Sequence, residues 1–97
     1  MPQNPIVPRP GGSLSALDVS ASTVVKTSPG TLYRVSVTTA GSAAGAAYDA
    51  AATNGNVATN LIAAIPNTVG VYLLEWPCAN GILIVPGTGQ VVSVSYA

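Results

Sequence analysis

The side chains able to do chemistry in this chain are few and far apart. Three carboxylates (Asp18, Asp49, Glu75), three cations (Arg9, Lys26, Arg34) and one thiol (Cys78) are the ionisable groups besides four tyrosines, and histidine is absent. Without His, neither a Ser-His-Asp nor a Cys-His arrangement can be built within the chain, and the commonest metal ligand is missing. One cysteine supports neither an internal disulfide nor a multi-cysteine zinc site. A reactive thiol needs positive charge beside it, and no cation lies near Cys78 in sequence, so it reads as a strand-end thiol that packs. Glycoside hydrolysis needs two carboxylates flanking one bond. Asp18, Asp49 and Glu75 stand isolated and read as solvated or turn-stabilising groups. Gly87-Thr88-Gly89 is not followed by Lys-Ser/Thr, which excludes a phosphate loop and leaves a hairpin connection. The expectation is a protein that is not an enzyme and takes no cofactor or metal.

The same scarcity bounds the partners. Charged residues make up 6% of 97, against roughly 25% in an ordinary soluble domain. With a formal charge of +0 the chain lacks the clustered Lys and Arg that nucleic acid or an anionic membrane requires. Its mean hydropathy of +0.49 suggests a membrane span, but the uncharged stretches either side of Glu75 are broken by Asn, Gly and Pro, including Asn54, Gly55, Pro66, Pro77 and Pro86. A spanning helix needs about 20 predominantly apolar residues in a row. The N-terminus has no basic region followed by an apolar core, so no secretory leader is expected. Among the aromatics, Tyr33 and Tyr96 fall on apolar faces and read as core. Trp76, followed by Pro77, is the one most readily read as a contact, although core packing is its first expectation.

The elements that must position these residues are strands. Tyr33, Val35 and Val37 alternate with Arg34 and Ser36, and Val92, Val94 and Tyr96 alternate with Ser93 and Ser95, the period of two that marks a half-buried strand. Seven strands are expected, at about 21–27, 31–40, 46–52, 57–65, 69–76, 81–86 and 90–96, with an eighth near 14–19. The Ala-rich 43–52 has helical propensity, but the glycines around it favour strand. Ser28-Pro29-Gly30 fits a type II turn, with positive φ at Gly30, and Asn54-Gly55 and Asn80-Gly81 are hairpin dipeptides. Turns every 8–12 residues indicate an all-β sandwich or barrel. Ahead of this domain (13–97), residues 1–12 carry Pro2, Pro5 and Pro8 at a spacing of three, the period of a polyproline II helix. That segment is either a frayed tail or an extended arm that orders against a neighbour. A core without Phe, in so small and uncharged a chain, favours self-association or docking on something larger.

Two runs carry a resemblance. Thr27-Ser28-Pro29-Gly30-Thr31-Leu32-Tyr33-Arg34-Val35-Ser36-Val37, and Trp76-Pro77-Cys78-Ala79-Asn80-Gly81-Ile82 with Pro86 through Tyr96, resemble small virion proteins of tailed bacteriophages: capsid decoration (cement) proteins and the C-terminal β-domains of head-fibre proteins. The likeness covers about residues 23–96 and rests on turns and strands rather than on chemistry. It implies an antiparallel, jelly-roll-like β-sandwich, a homotrimer, seated on the capsid exterior after assembly in a host cytoplasm, with the major capsid protein as partner. Pro5, Ile6, Val7, Pro8 and Arg9 of the arm, together with Trp76, are the expected capsid or subunit contacts. The alternative is a head-fibre or tail-tip module that binds a host glycan or receptor.

Overall fold

A computed structural model describes residues 14–97. The arm residues Pro5, Ile6, Val7, Pro8 and Arg9 lie outside the described residues. Eight strands follow one another: β1 (Leu14–Val19), β2 (Thr23–Lys26), β3 (Gly30–Thr39), β4 (Gly45–Tyr48), β5 (Leu61–Ile65), β6 (Gly70–Cys78), β7 (Ile82–Val85) and β8 (Val91–Tyr96). They form two four-stranded antiparallel sheets, ordered β1-β8-β3-β6 and β2-β7-β4-β5. First pairs with last, second with seventh, third with sixth and fourth with fifth. This is the order of a jelly roll, a long hairpin wrapped once around its own core. The expected all-β sandwich is therefore present, with the eighth strand in place.

That wrapping corrects the reading of the turns. Every connection except β4–β5 crosses from one sheet to the other, so Asn80-Gly81 and Gly87-Thr88-Gly89 are corners between sheets and not hairpins. Asn54-Gly55 lies within a short 3-10 turn, Thr53–Gly55, on the β4–β5 connection. Gly30 does not take the positive φ that a type II turn asks of it; the one positive-φ glycine among the described residues is Gly89, at 76°. Gly89 is the third residue of a turn closed by the Gln90 N–H on the Gly87 carbonyl at 3.0 Å. Gly30 is required for space instead, because a Cβ there would run into the Ala97 carbonyl oxygen.

The core lies between the sheets. Leu32, Val35, Val37, Val92 and Val94 face Ala47, Ile65, Ile82 and Ile84 across it, and all are buried. The alternation in β3 places Val35 and Val37 as expected but not Tyr33, which is absent from the core. The β3–β8 pairing shifts between Leu32 and Arg34, and this bulge turns Leu32 inward in place of Tyr33. Tyr96 does pack against the core. The Ala-rich stretch is a strand, Gly45–Tyr48, shorter than 46–52, because β5 and β7 pair with it on both sides only there. β5 begins at Leu61 rather than 57. Ahead of it Ala58–Asn60 forms a second 3-10 turn, and the Asn60 side-chain amide donates to the Gly55 carbonyl at 3.0 Å, the local competition with extended backbone typical of Asn.

Candidate functional site

Among the described residues the ionisable groups do not converge. Asp18 lies on β1 and Glu75 on β6, the two edges of one sheet. Three strand spacings put their backbones about 14 Å apart, and the one charged residue on the two strands between them is Arg34. Asp49, just after β4, is occupied: its Oδ2 accepts the Ala79 N–H at 2.9 Å, and its Oδ1 accepts those of Asn80 at 2.8 Å and Gly81 at 3.3 Å. Burial is the largest single influence on this carboxyl and raises its pKa, but the three N–H groups together outweigh it and hold the pKa below the ordinary 3.8. Asp49 is thus a clamp that ties the β6–β7 corner to the end of β4. Burial pushes the Cys78 thiol up, the Asp49 charge adds to the rise, and a backbone hydrogen bond from Leu32 opposes it. Buried in the core at the end of β6, Cys78 packs as expected. Among the described residues no group of three or more His, Cys, Asp or Glu is placed to hold a metal ion.

The opposite end of the sandwich carries two further clamps that residue types along the chain do not announce. Asn67 and Gly41 exchange a reciprocal pair: Asn67 Nδ2 donates to the Gly41 carbonyl and Gly41 N–H to Asn67 Oδ1, both at 2.7 Å. Gln90 is wholly buried, donating through Nε2 to the Pro66 carbonyl and accepting the Gly87 N–H at Oε1, both at 3.0 Å. Both residues satisfy part-buried backbone groups of the inter-sheet corners.

What the fold leaves uncovered is the outer face of the sheet β1-β8-β3-β6. Cross-strand register places Ser15, Ser95, Arg34 and Leu73 in one row. Beside it, Leu17 at the β1 bulge, Ser93, Ser36 and Val71 form the next. Leu17 is 72% exposed, Val71 66% and Leu73 59%, so two apolar borders flank a floor of serines with a single cation, Arg34. Between the borders lies a shallow hollow of about 290 Å³, lined by Ser15, Leu17, Arg34, Ser36, Val71 and Ser95 among others. The other sheet differs at its centre. There Leu83, flanked in register by Val24 and Tyr48, is fully buried although it alternates with the core residues Ile82 and Ile84. At the edge of that row Leu61, in register with Tyr48, stays 50% exposed, so this face is closed only at its centre.

Trp76 belongs to neither the open face nor the core cluster. Its register partner is the inward-facing Leu32, but on an edge strand it stays 49% exposed, which corrects the first expectation of core packing. The uncovered face had a signal in the sequence. The run Val71-Tyr72-Leu73-Leu74 has no polar alternation, so whichever side faces outward is apolar. No helix among the described residues is long and apolar enough to cross a membrane. Compared with known proteins, the chain matches no protein family, no curated protein and no solved structure.

Proposed function

We propose that this chain is a structural protein of a tailed-phage virion, a decoration or cement protein that binds the outside of the assembled capsid and stabilises it. The observation that carries the reading is the open sheet face. Leu17, Val71 and Leu73 stand exposed on a four-stranded sheet, and apolar patches of this kind mark protein–protein contact. The dispersed carboxylates and the occupied Asp49 support a scaffolding role. Fold alone assigns no function; the virion setting comes from the resemblance of residues 23–96, which also implies a homotrimer with the major capsid protein as partner. In this reading the copies associate through the β-domain, and the arm residues Pro5, Ile6, Val7, Pro8 and Arg9 add capsid contact.

The test is co-sedimentation of the purified chain with assembled capsid shells and, separately, with unassembled capsid protein. Saturable binding to shells alone, weakened when residues 1–12 are removed, is the expected result. Undiminished occupancy without residues 1–12 would remove the arm from the account. Binding to host cells with none to shells would replace decoration by the receptor-binding alternative.

A further inference from the structure

We propose that the open face of the sheet β1-β8-β3-β6 is where copies of this chain meet one another, the Leu17 border of one copy seating against the Val71–Leu73 border of the next. The proposal deepens the structural reading above and rests on it only for its biological setting.

Two features select the face over the edges. Both edge strands of this sheet carry a bulge, and in each the bulge holds an acidic residue at positive φ. On β1 the register slips between Ala16 and Val19, where Asp18 has φ 57°; on β6 two residues, Leu74 and Glu75, stand opposite Tyr33 alone, and Glu75 has φ 50°. A bulge takes backbone groups out of line for a further strand, and a carboxylate beside it blocks the approach, which is how edge-to-edge pairing is avoided. The same sheet presents Leu17, Val71 and Leu73 on its outer face without any such guard.

The two borders also match. Leu17 and Val71 end the same cross-strand row, through Ser93 and Ser36, and Ser15 and Leu73 end the neighbouring one, through Ser95 and Arg34. Bringing a β1 border against a β6 border therefore sets Leu17 on the partner's Val71 and Ser15 on the partner's Leu73. It places each Arg34, one strand off the centre line, over serine rather than over another Arg34. Four strands about 4.8 Å apart and six residues of about 3.3 Å each give a sheet patch of about 380 Å². With side-chain relief that is roughly 600 Å² of accessible surface per copy, or about 1,200 Å² for both sides, the lower bound of a stable protein interface. The patch is large enough for a second copy.

The experiment is disulfide trapping on the full chain carrying Leu17→Cys and Val71→Cys together, with oxidised glutathione as the oxidant. Within one copy these positions are about 14 Å apart, too far to bridge, since Cα atoms must approach within about 7 Å. Any disulfide between them therefore joins two copies. The double variant is expected to become a covalent dimer while each single variant does not, and Val71→Glu is expected to shift the light-scattering mass of the folded chain to that of a monomer. This stacking uses each face once and closes at two copies, so a covalent trimer would overturn it. A covalent dimer supports the interface and overturns the trimer. A wild-type chain that stays monomeric at micromolar concentration, as it would if residues 1–12 covered the face, overturns the proposal, as does an oligomer indifferent to both substitutions. Binding of a monomer to capsid shells would leave the function reading standing without it.

Discussion

Asp49 gives the sharpest quantitative expectation. Its carboxylate holds three consecutive N–H groups of the β6–β7 corner, two of them at 2.8 and 2.9 Å and the third at 3.3 Å. A charge-assisted hydrogen bond contributes about 1.5–3 kcal/mol when buried. This site is only half-buried, so the freed amides can turn to water, and about 1 kcal/mol for each of the two short bonds is the better figure. Asp49→Ala should then cost about 2 kcal/mol, and Asp49→Asn, which keeps one acceptor oxygen without the charge, about 1 kcal/mol. For a domain of this size 2 kcal/mol lowers Tm by roughly 10 °C. The pH dependence has a definite sign. The pKa is lower in the folded than in the unfolded chain, whose ordinary value is 3.8, so the carboxylate's contribution is complete above that value and is lost as pH falls through the folded pKa. Calorimetry from pH 7 down to pH 2 on wild type and Asp49→Asn should show two curves that converge in acid. An Asp49→Ala protein within about 0.5 kcal/mol of wild type at neutral pH would refute the clamp, as would a wild type–Asn gap that ignores pH.

Other consequences are open to simpler measurements. Glu75→Gly should raise stability by about 1 kcal/mol by relieving a positive φ while increasing aggregation, since the guard on the β6 edge is lost; thermal melts and turbidity read the two effects separately. Gln90→Leu takes their side-chain partner from the Pro66 carbonyl and the Gly87 N–H, both only part-buried, and chemical denaturation should register a loss of about 1–2 kcal/mol. Ser95 Oγ is buried with no hydrogen-bond partner among the described residues, so Ser95→Ala should be neutral or stabilising by up to about 1 kcal/mol. Cys78, buried and with its pKa raised, should resist alkylation at neutral pH until denaturant is added.

How much of this was legible along the chain follows from the range of each interaction. Strands were readable because their signal is local: Val35 with Val37 and Val92 with Val94 alternate, and all four are core. Tyr33 broke the pattern because a bulge changes phase within a strand, and that shift is set by the neighbour β8. Pro and Gly correctly marked where the chain reverses, but a reversal does not say whether the next strand returns beside the last or crosses to the other sheet. In a jelly roll nearly all of them cross. The polar clamps were unreadable for a related reason. Asp49 meets residues 30 to 32 positions away, Asn67 reaches back 26 and Gln90 reaches back 24, so residue type alone does not name their partners. The open face is a property of the assembled sheet, since its two borders come from β1 and β6, the edge strands.

The most direct test of the central claim is electron microscopy of the native particle from which the protein is purified. The account predicts a regular density of 9.6 kDa per copy on the capsid exterior, at three-fold or quasi-three-fold positions where capsid proteins meet. A density confined to the tail, or none on the shell, would contradict it.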